Sequence, residues 1–118
     1  MLGEPTRARY GLGAGRRLRK RSEFERLLRE GRRCSRGGYT IYMARREQGP
    51  ARLGILISRQ HSARATVRNR IKRCIREAFR LEQGRLGPLD LLVRPPLGAR
   101  PGAAMQAELR ALLAGLAA

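Results

Sequence analysis

Residues 68–80 read Arg-Asn-Arg-Ile-Lys-Arg-Cys-Ile-Arg-Glu-Ala-Phe-Arg, and the chemistry this stretch can do is the gripping of phosphate. A guanidinium presents a planar fork of N–H donors that matches a phosphate edge, and an ammonium adds a compact point charge. The spacing organises those charges. Val67, Ile71, Cys74, Ile75, Ala78 and Leu81 fall on one side of a helix, with Phe79 at the margin. Lys72, Arg73, Arg76 and Arg80 fall on the other side, joined by Asn69 on the first turn. A disordered basic tail has no use for an apolar stripe. The pattern therefore predicts a helix that packs along one side and holds an ordered cationic ridge outward, as recognition of a structured polyanion requires. Asn69, between Arg68 and Arg70, adds directional hydrogen bonding that charge alone lacks. Local compensation is sparse: Glu77 can pair with Arg73 at i−4 or Arg80 at i+3.

The same inventory argues against autonomous catalysis. The chain has one Asp (Asp90), one His (His61) and eight Glu scattered among 25 Arg and two Lys, Lys20 and Lys72. A protein-borne two-metal nuclease needs several carboxylates converging on its metals, and a metal-free one needs an acid/base pair. Neither is spaced here. Asp90 opens an apolar strand, where it accepts hydrogen bonds or pairs with an Arg, and His61 reads as a polar or phosphate-contacting loop residue. Cys34 and Cys74 stand far apart without a CxxC or a nearby His pair, which points to a reducing cytosol rather than a zinc site or a disulfide scaffold.

A net charge of +18 on 118 residues pushes a compact state against itself, so a polyanionic partner is expected, nucleic acid first. The preference for Arg over Lys is largely what GC-rich codons produce, but codon usage does not explain the net charge. With 42% hydrophobic residues the chain can build one modest core. No segment approaches the roughly twenty apolar residues of a membrane span, and the N-terminus lacks the apolar centre of a secretory signal.

Several elements must position the ridge. Residues 1–15 mix Gly, Pro and Arg without periodicity and read as a flexible basic arm, leaving 16–118 as a single RNA-binding α+β domain. Leu18, Phe24, Leu27 and Leu28 suggest a short helix with Ser22 as its cap and Gly31 as its stop. A basic turn, Arg32 to Gly38, leads into a strand over Tyr39–Ala44, in which Tyr39, Ile41 and Met43 share one face and Thr40 and Tyr42 the other. Gln48-Gly49-Pro50 makes a turn before a second strand over Arg52–Ser58, and the short spacing predicts that these two strands pair as a hairpin. The basic helix runs from about Ser62 or Ala63 to Gln83, stopped by Gly84 and Gly87-Pro88. Leu89–Arg94 is a third strand, and Ala104, Met105, Leu109, Leu112, Leu113 and Leu116 mark a final amphipathic helix. The order α-β-β-α-β-α indicates helices against one small sheet. Phe24 and Tyr42 form a second candidate surface: if the first helix and the sheet border a cleft, they could stack on unpaired bases.

With these residues in place, the chain resembles the protein component of bacterial ribonuclease P from about Leu18 to Leu116. The most specific part is Arg68-Asn69-Arg70 continuing through Ile71-Lys72-Arg73 and Arg76-Glu77-Ala78-Phe79-Arg80. Lys20-Arg21-Ser22-Glu23-Phe24, Tyr39 to Tyr42, Gly54 to Ser58 and Asp90 to Pro95 support it. The resemblance implies a two-layer α-β-β-β-α-β-α sandwich with a left-handed β-α-β crossover, against the usual right-handed preference, the ribosomal protein S5 domain 2-like arrangement. It also implies a cytoplasmic ribonucleoprotein that removes the 5′ leader from precursor tRNA, with hydrolysis performed by a large RNA subunit that holds most of the Mg²⁺. The implied partners are that catalytic RNA and precursor tRNA, with no membrane, no DNA and one protein copy in the complex.

By this similarity Arg68, Asn69, Arg70, Lys72, Arg73 and Arg76 would face the catalytic RNA. Arg80 on the ridge and Arg59 and Arg64 before it extend the basic surface. Phe24, Tyr39 and Tyr42 would line the leader cleft, together with Leu28, which stands where the family often carries an aromatic. The loop before the helix, usually a Lys pair, reads Arg59-Gln60-His61 here, and the Gly that often follows is replaced by the path Ser62-Ala63-Arg64. The alternative is a small basic ribosomal or other structured-RNA-binding protein.

Overall fold

Along the described chain run α1 (Arg21–Glu30), β1 (Arg32–Arg36), β2 (Tyr39–Arg45), β3 (Arg52–Ile55), α2 (Ala65–Leu86), β4 (Leu89–Arg94) and α3 (Ala103–Ala117). The computed structural model describes Arg17, Leu18 and residues 20–117; the arm expected over 1–15 lies outside the described residues. The element order is the α-β-β-β-α-β-α that the resemblance implies. The strands form one sheet in the order β1-β2-β4-β3. β1 with β2 and β2 with β4 are antiparallel, whereas β3 and β4 are parallel and joined through α2.

Two expectations read from pattern alone are corrected. The strands over 39–44 and 52–58 do not pair as a hairpin, because β4 lies between them. The reason is burial. Leu91, Leu92 and Val93 are apolar on both faces of β4 and all are buried, so this strand takes a central place and β3 takes the edge. The segment read as a basic turn, Arg32 to Gly38, is mostly the edge strand β1, which turns into β2 at Gly37 and Gly38. Their φ values of 60° and 86° suit the tight two-residue turn that right-twisted strands require.

Period-two alternation divides β2 between two cores. Tyr39 and Ile41, with Leu53, Leu91 and Val93, face α2 and α3. From α2 come Ile71, Ile75, Ala78 and Phe79, and from α3 Met105, Leu109, Leu112 and Leu113. Phe79, placed at the margin by helical spacing, is fully buried, while Leu81, placed on the stripe, is exposed at 43%. On the other face Leu92 packs with Leu18 and Leu27 of the α1 region, and Phe24, Tyr42, Ala44 and Leu56 border them half-buried.

The helix ends also differ from expectation. Lys20 rather than Ser22 occupies the cap of α1, and its backbone N–H donates to Glu23 Oε1 at 3.4 Å. Helix α2 runs through Gly84 and stops at Gly87, which has a φ of 69°. Just before that extra turn, Glu82, only 3% exposed, lies against α3, where Arg110 Nε donates to its Oε2 at 2.8 Å. A buried carboxylate that is met by a guanidinium ties α2 to α3 and fixes the helix in place.

Candidate nucleic-acid interface

The ridge on α2 is ordered as its spacing predicts. Asn69, Arg70 and Arg73 are exposed, and Lys72, Arg76 and Arg80 are half-buried along its edges. Arg70, Lys72 and Arg73 have no carboxylate partner among the described residues. Arg80 does: its Nε donates to Glu77 Oε1 at 2.9 Å. That bond holds the Glu77 carboxyl below its usual range and pushes the Arg80 guanidinium up. Of the two partners open to Glu77, the structure selects Arg80 and leaves Arg73 without a carboxylate partner among the described residues. Arg76 is shifted the other way, lowered by burial and then by the charge of Arg17.

The approach to α2 is built by Arg68, which the resemblance assigns to the catalytic RNA, and by His61, read from the sequence as a polar or phosphate-contacting loop residue. Arg68 turns back along the chain, and its Nη1 donates to the carbonyls of Ser62 at 2.9 Å and Ala63 at 3.1 Å. It braces the loop, and its Nε and Nη2 have no hydrogen-bond partner among the described residues. His61 is only 7% exposed, and its Nδ1 accepts the backbone N–H of Ser58 at 3.0 Å. That burial makes it a loop-closing residue rather than a phosphate contact. Arg59 and Arg64 stand exposed on this braced loop.

The second surface lies between α1 and the open sheet face. An ion-pair chain seats the helix: Glu23 Oε2 lies 3.1 Å from Arg52 Nη1, and Arg52 Nε lies 2.8 Å from Asp90 Oδ1. A second contact, Arg52 Nη2 to Asp90 Oδ2 at 2.8 Å, makes the pair bidentate, and Arg46 Nε meets the same carboxylate at 2.9 Å. The hydrogen bonds to Asp90 raise the Arg52 guanidinium further. Phe24, next to Glu23, is thereby laid over Gly54. A Cβ at Gly54 would sit 2.9 Å from Phe24 Cζ and 3.0 Å from Leu92 Cδ1, so the close approach of ring and sheet requires glycine there. Leu28 is 44% exposed and borders, with Phe24 and Leu56, a cavity of about 440 Å³.

Tyr42 joins Phe24 on this face, but Tyr39 does not. It points to the opposite side of the sheet and is 3% exposed, with its phenol pushed up to about 12 by burial and then by Glu108. The alternation along β2 that puts Tyr42 in the cleft necessarily puts Tyr39 in the core.

Arg17 is the contributor that sequence reasoning missed. It lines a cavity of about 230 Å³ with Lys72, Arg76 and Phe24, where the flank of the ridge meets the cleft. Its one signal in the sequence is its place beside Leu18, whose burial fixes it. Among the described residues, no three His, Cys, Asp or Glu side chains come together as a metal-binding group, and no helix is long and apolar enough to cross a membrane.

The family profile described as Ribonuclease P matches residues 12–117. This chain belongs to the ribonuclease P protein family. The ribonuclease P protein component of Thioalkalivibrio sulfidiphilus is 33% identical over 102 residues, covering 85% of each chain. That of Bordetella petrii is 39% identical over 102 residues, covering 81% of this chain and 80% of its own. In three dimensions, the ribonuclease P protein of Staphylococcus aureus superposes with a TM-score of 0.74 at 26% identity, over 84% of this chain and 93% of that one. The Thermotoga maritima ribonuclease P protein gives 0.61 at 32% identity, over 67% and 72%. Membership accounts for an interface rich in unpaired cations and poor in carboxylates, since ribonuclease P is a tRNA 5′-processing ribonucleoprotein of which this protein is a subunit.

Proposed function

We propose that this chain binds the catalytic RNA of ribonuclease P through the outward side of α2 and the single-stranded 5′ leader of precursor tRNA through the cleft beside α1. The observation that carries the reading is the set of unpaired cations at Arg70, Lys72 and Arg73 on a helix pinned to the core, next to the aromatic cleft of Phe24 and Tyr42. Asn69, Arg76 and the free donors of Arg68 extend the catalytic-RNA surface, and Arg59 and Arg64 continue it along the braced loop. Arg80 contributes less because Glu77 already holds it. Leu28 supplies apolar area to the cleft, and Tyr39, on the other face, supports the sheet.

The mechanism is electrostatic and geometric. Two RNAs must approach closely, and their phosphates repel. Cations at fixed positions lower that repulsion, and counterions released from both strands favour the assembly. A cleft that engages unpaired bases distinguishes precursor, which carries a leader, from mature product, which does not. In this reading Mg²⁺ is held mainly by the RNA subunit, and the protein's part is to bind and position the two RNAs. One protein copy acting in the cytoplasm goes with this reading.

Mixing the protein with a ribonuclease P RNA and precursor tRNA at low Mg²⁺ tests the proposal. Loss of the 5′ leader is expected only when both protein and RNA are present. Cleavage by the purified protein alone, or no stimulation of the RNA, would overturn it.

A further inference from the structure

The sheet has two edges, β1 and β3, and they are treated differently. At β3 the chain closes its own edge: Arg17 bridges to Leu53, and the N–H of Leu18 donates to Leu53 O at 2.9 Å. At β1 no backbone hydrogen bond reaches the outer side among the described residues. The strand is exposed at every position except the half-buried Cys34. An open strand edge is a template for another strand unless something restricts who can pair with it.

Which backbone groups face outward follows from the register. Gly37 and Gly38 make a two-residue turn with both φ positive, so the flanking Arg36 and Tyr39 are a hydrogen-bonded pair. Such pairs alternate along an antiparallel ladder. Cys34 with Ile41 and Arg32 with Met43 are therefore bonded inward, whereas the N–H and C=O of Arg33 and Ser35 point out of the sheet. β2 keeps the same parity on its other side: the N–H of Arg46, in step with Tyr42 and Ala44, donates to Pro88 O at 2.6 Å. Pro96 packs so closely on the turn that a Cβ at Gly38 would lie 2.9 Å from its Cβ, which holds the hairpin in this register.

Charge then decides which partner fits. Arg32, Arg33 and Arg36 are exposed, and none has a carboxylate partner among the described residues. The pairing puts Arg32 and Arg36 on one face of the strand with Cys34 between them, and Arg33 on the other. A second copy of this edge would set these guanidiniums against their own kind, so self-pairing is excluded. A phosphodiester backbone suits the guanidiniums, but its phosphates offer nothing to the outward carbonyls of Arg33 and Ser35. A peptide strand satisfies both. We propose that β1 is a docking edge for an extended acidic segment of a partner protein, which adds antiparallel to the sheet as a further strand. The pleat specifies the segment's side chains. Those opposite Arg32, Arg33 and Arg36 are acidic, the one opposite Cys34 is apolar, and the one opposite Ser35 is small and polar. Backbone bonds at Arg33 and Ser35 set the register, and the cations select against neutral and basic strands. The site lies across the sheet from β3, near which Arg17, Lys72 and Arg76 line one cavity, so docking leaves the ridge open to RNA.

The test titrates the full chain with a fluorescent peptide carrying Glu-Thr-Val-Glu-Glu between uncharged flanks, followed by anisotropy at low salt. A second probe is N-methylated at the threonine and at the glutamate after the valine, the positions facing Ser35 and Arg33. It keeps every charge and loses only the strand donors, so it should bind roughly tenfold more weakly. Equal binding of the two probes would reduce the effect to charge attraction and overturn the proposal. On the protein, Ser35→Pro removes an N–H that the hairpin does not use, and it should lower affinity for the first probe while sparing RNA binding. Should that variant melt early, the methylated probe still decides. Arg32→Ala and Arg36→Ala should each weaken the first probe by about threefold; unchanged affinity in both would overturn the charge selection. If the two probes bind alike and a short RNA duplex loses affinity in Arg32→Ala/Arg36→Ala, the edge is an RNA surface and the proposal falls.

Discussion

The two faces of the sheet are built from the same strands and serve opposite ends. Ile41 of β2 and Leu91 of β4 are sealed under α2 and α3, while their sequence neighbours Tyr42 and Leu92 pack on the face that carries α1. The sealed face makes α2 immobile, which turns a run of cations into a ridge of fixed spacing. The open face leaves aromatic surface half-covered, and half-covered aromatics are what an unpaired base can stack on. A chain this small divides rigidity and recognition by the pleat of a strand.

The largest effects should separate the faces. Phe79→Ala on the sealed face is expected to lower the unfolding free energy by about 3–5 kcal/mol in denaturant melts, and to affect RNA binding only through loss of fold. Phe24→Ala on the open face should cost much less stability, yet weaken holoenzyme binding to precursor relative to mature tRNA by about 1–3 kcal/mol. Equal stability losses with equal effects on the two RNAs would erase the distinction. Gly54→Ala sharpens it next. The added Cβ meets the Phe24 ring and Leu92, so a destabilisation of about 1–3 kcal/mol is expected, together with reduced discrimination for precursor as the ring is displaced. Full discrimination in a well-folded Gly54→Ala protein would count against Phe24 as the stacking surface.

Smaller effects follow from titration. With Tyr39 held at about 12, above its ordinary value of 10.0, the folded state keeps the phenol proton after the unfolded state has lost it. Stability from this group is therefore complete below pH 10 and falls as pH rises from 10 to 12. Ultraviolet difference titration of wild type against Tyr39→Phe should show one phenol ionising late; ionisation of Tyr39 at its ordinary value would place it at the surface. Glu77→Gln should have the smallest effect on stability while tightening RNA binding at low salt, because Arg80 is released. Since Arg80 lowers the Glu77 carboxyl, the pair's stabilisation is present above the ordinary Glu value of about 4.3 and fades as pH falls through the lower folded value.

The ridge on α2 was legible because an apolar stripe at helical spacing and a cationic ridge opposite it are both local patterns. The alternation in β2 was equally legible, and it sorted Tyr39 from Tyr42 before family resemblance placed both in the cleft. Strand pairing was not legible from adjacency, though the apolar run Leu91-Leu92-Val93 carries the signal of a strand covered on both faces. β1 was hidden by its arginines: an edge strand exposed on both sides needs no apolar pattern, and the Gly37-Gly38 pair was the clue to its hairpin. Arg17 left only its place beside the apolar Leu18 as a signal, since its position depends on a backbone bridge to Leu53 far along the chain.

The central claim is that cations on a rigid α2 grip the catalytic RNA, and its most direct measurement is the salt dependence of that binding for wild type and Arg70→Ala/Arg73→Ala. Both side chains are exposed and neither has a carboxylate partner among the described residues, so the fold should be unaffected. Removing two phosphate contacts should weaken binding and lower the log–log slope by about 1.4 to 1.8. A folded double variant that binds the catalytic RNA with the wild-type affinity and slope would contradict the account.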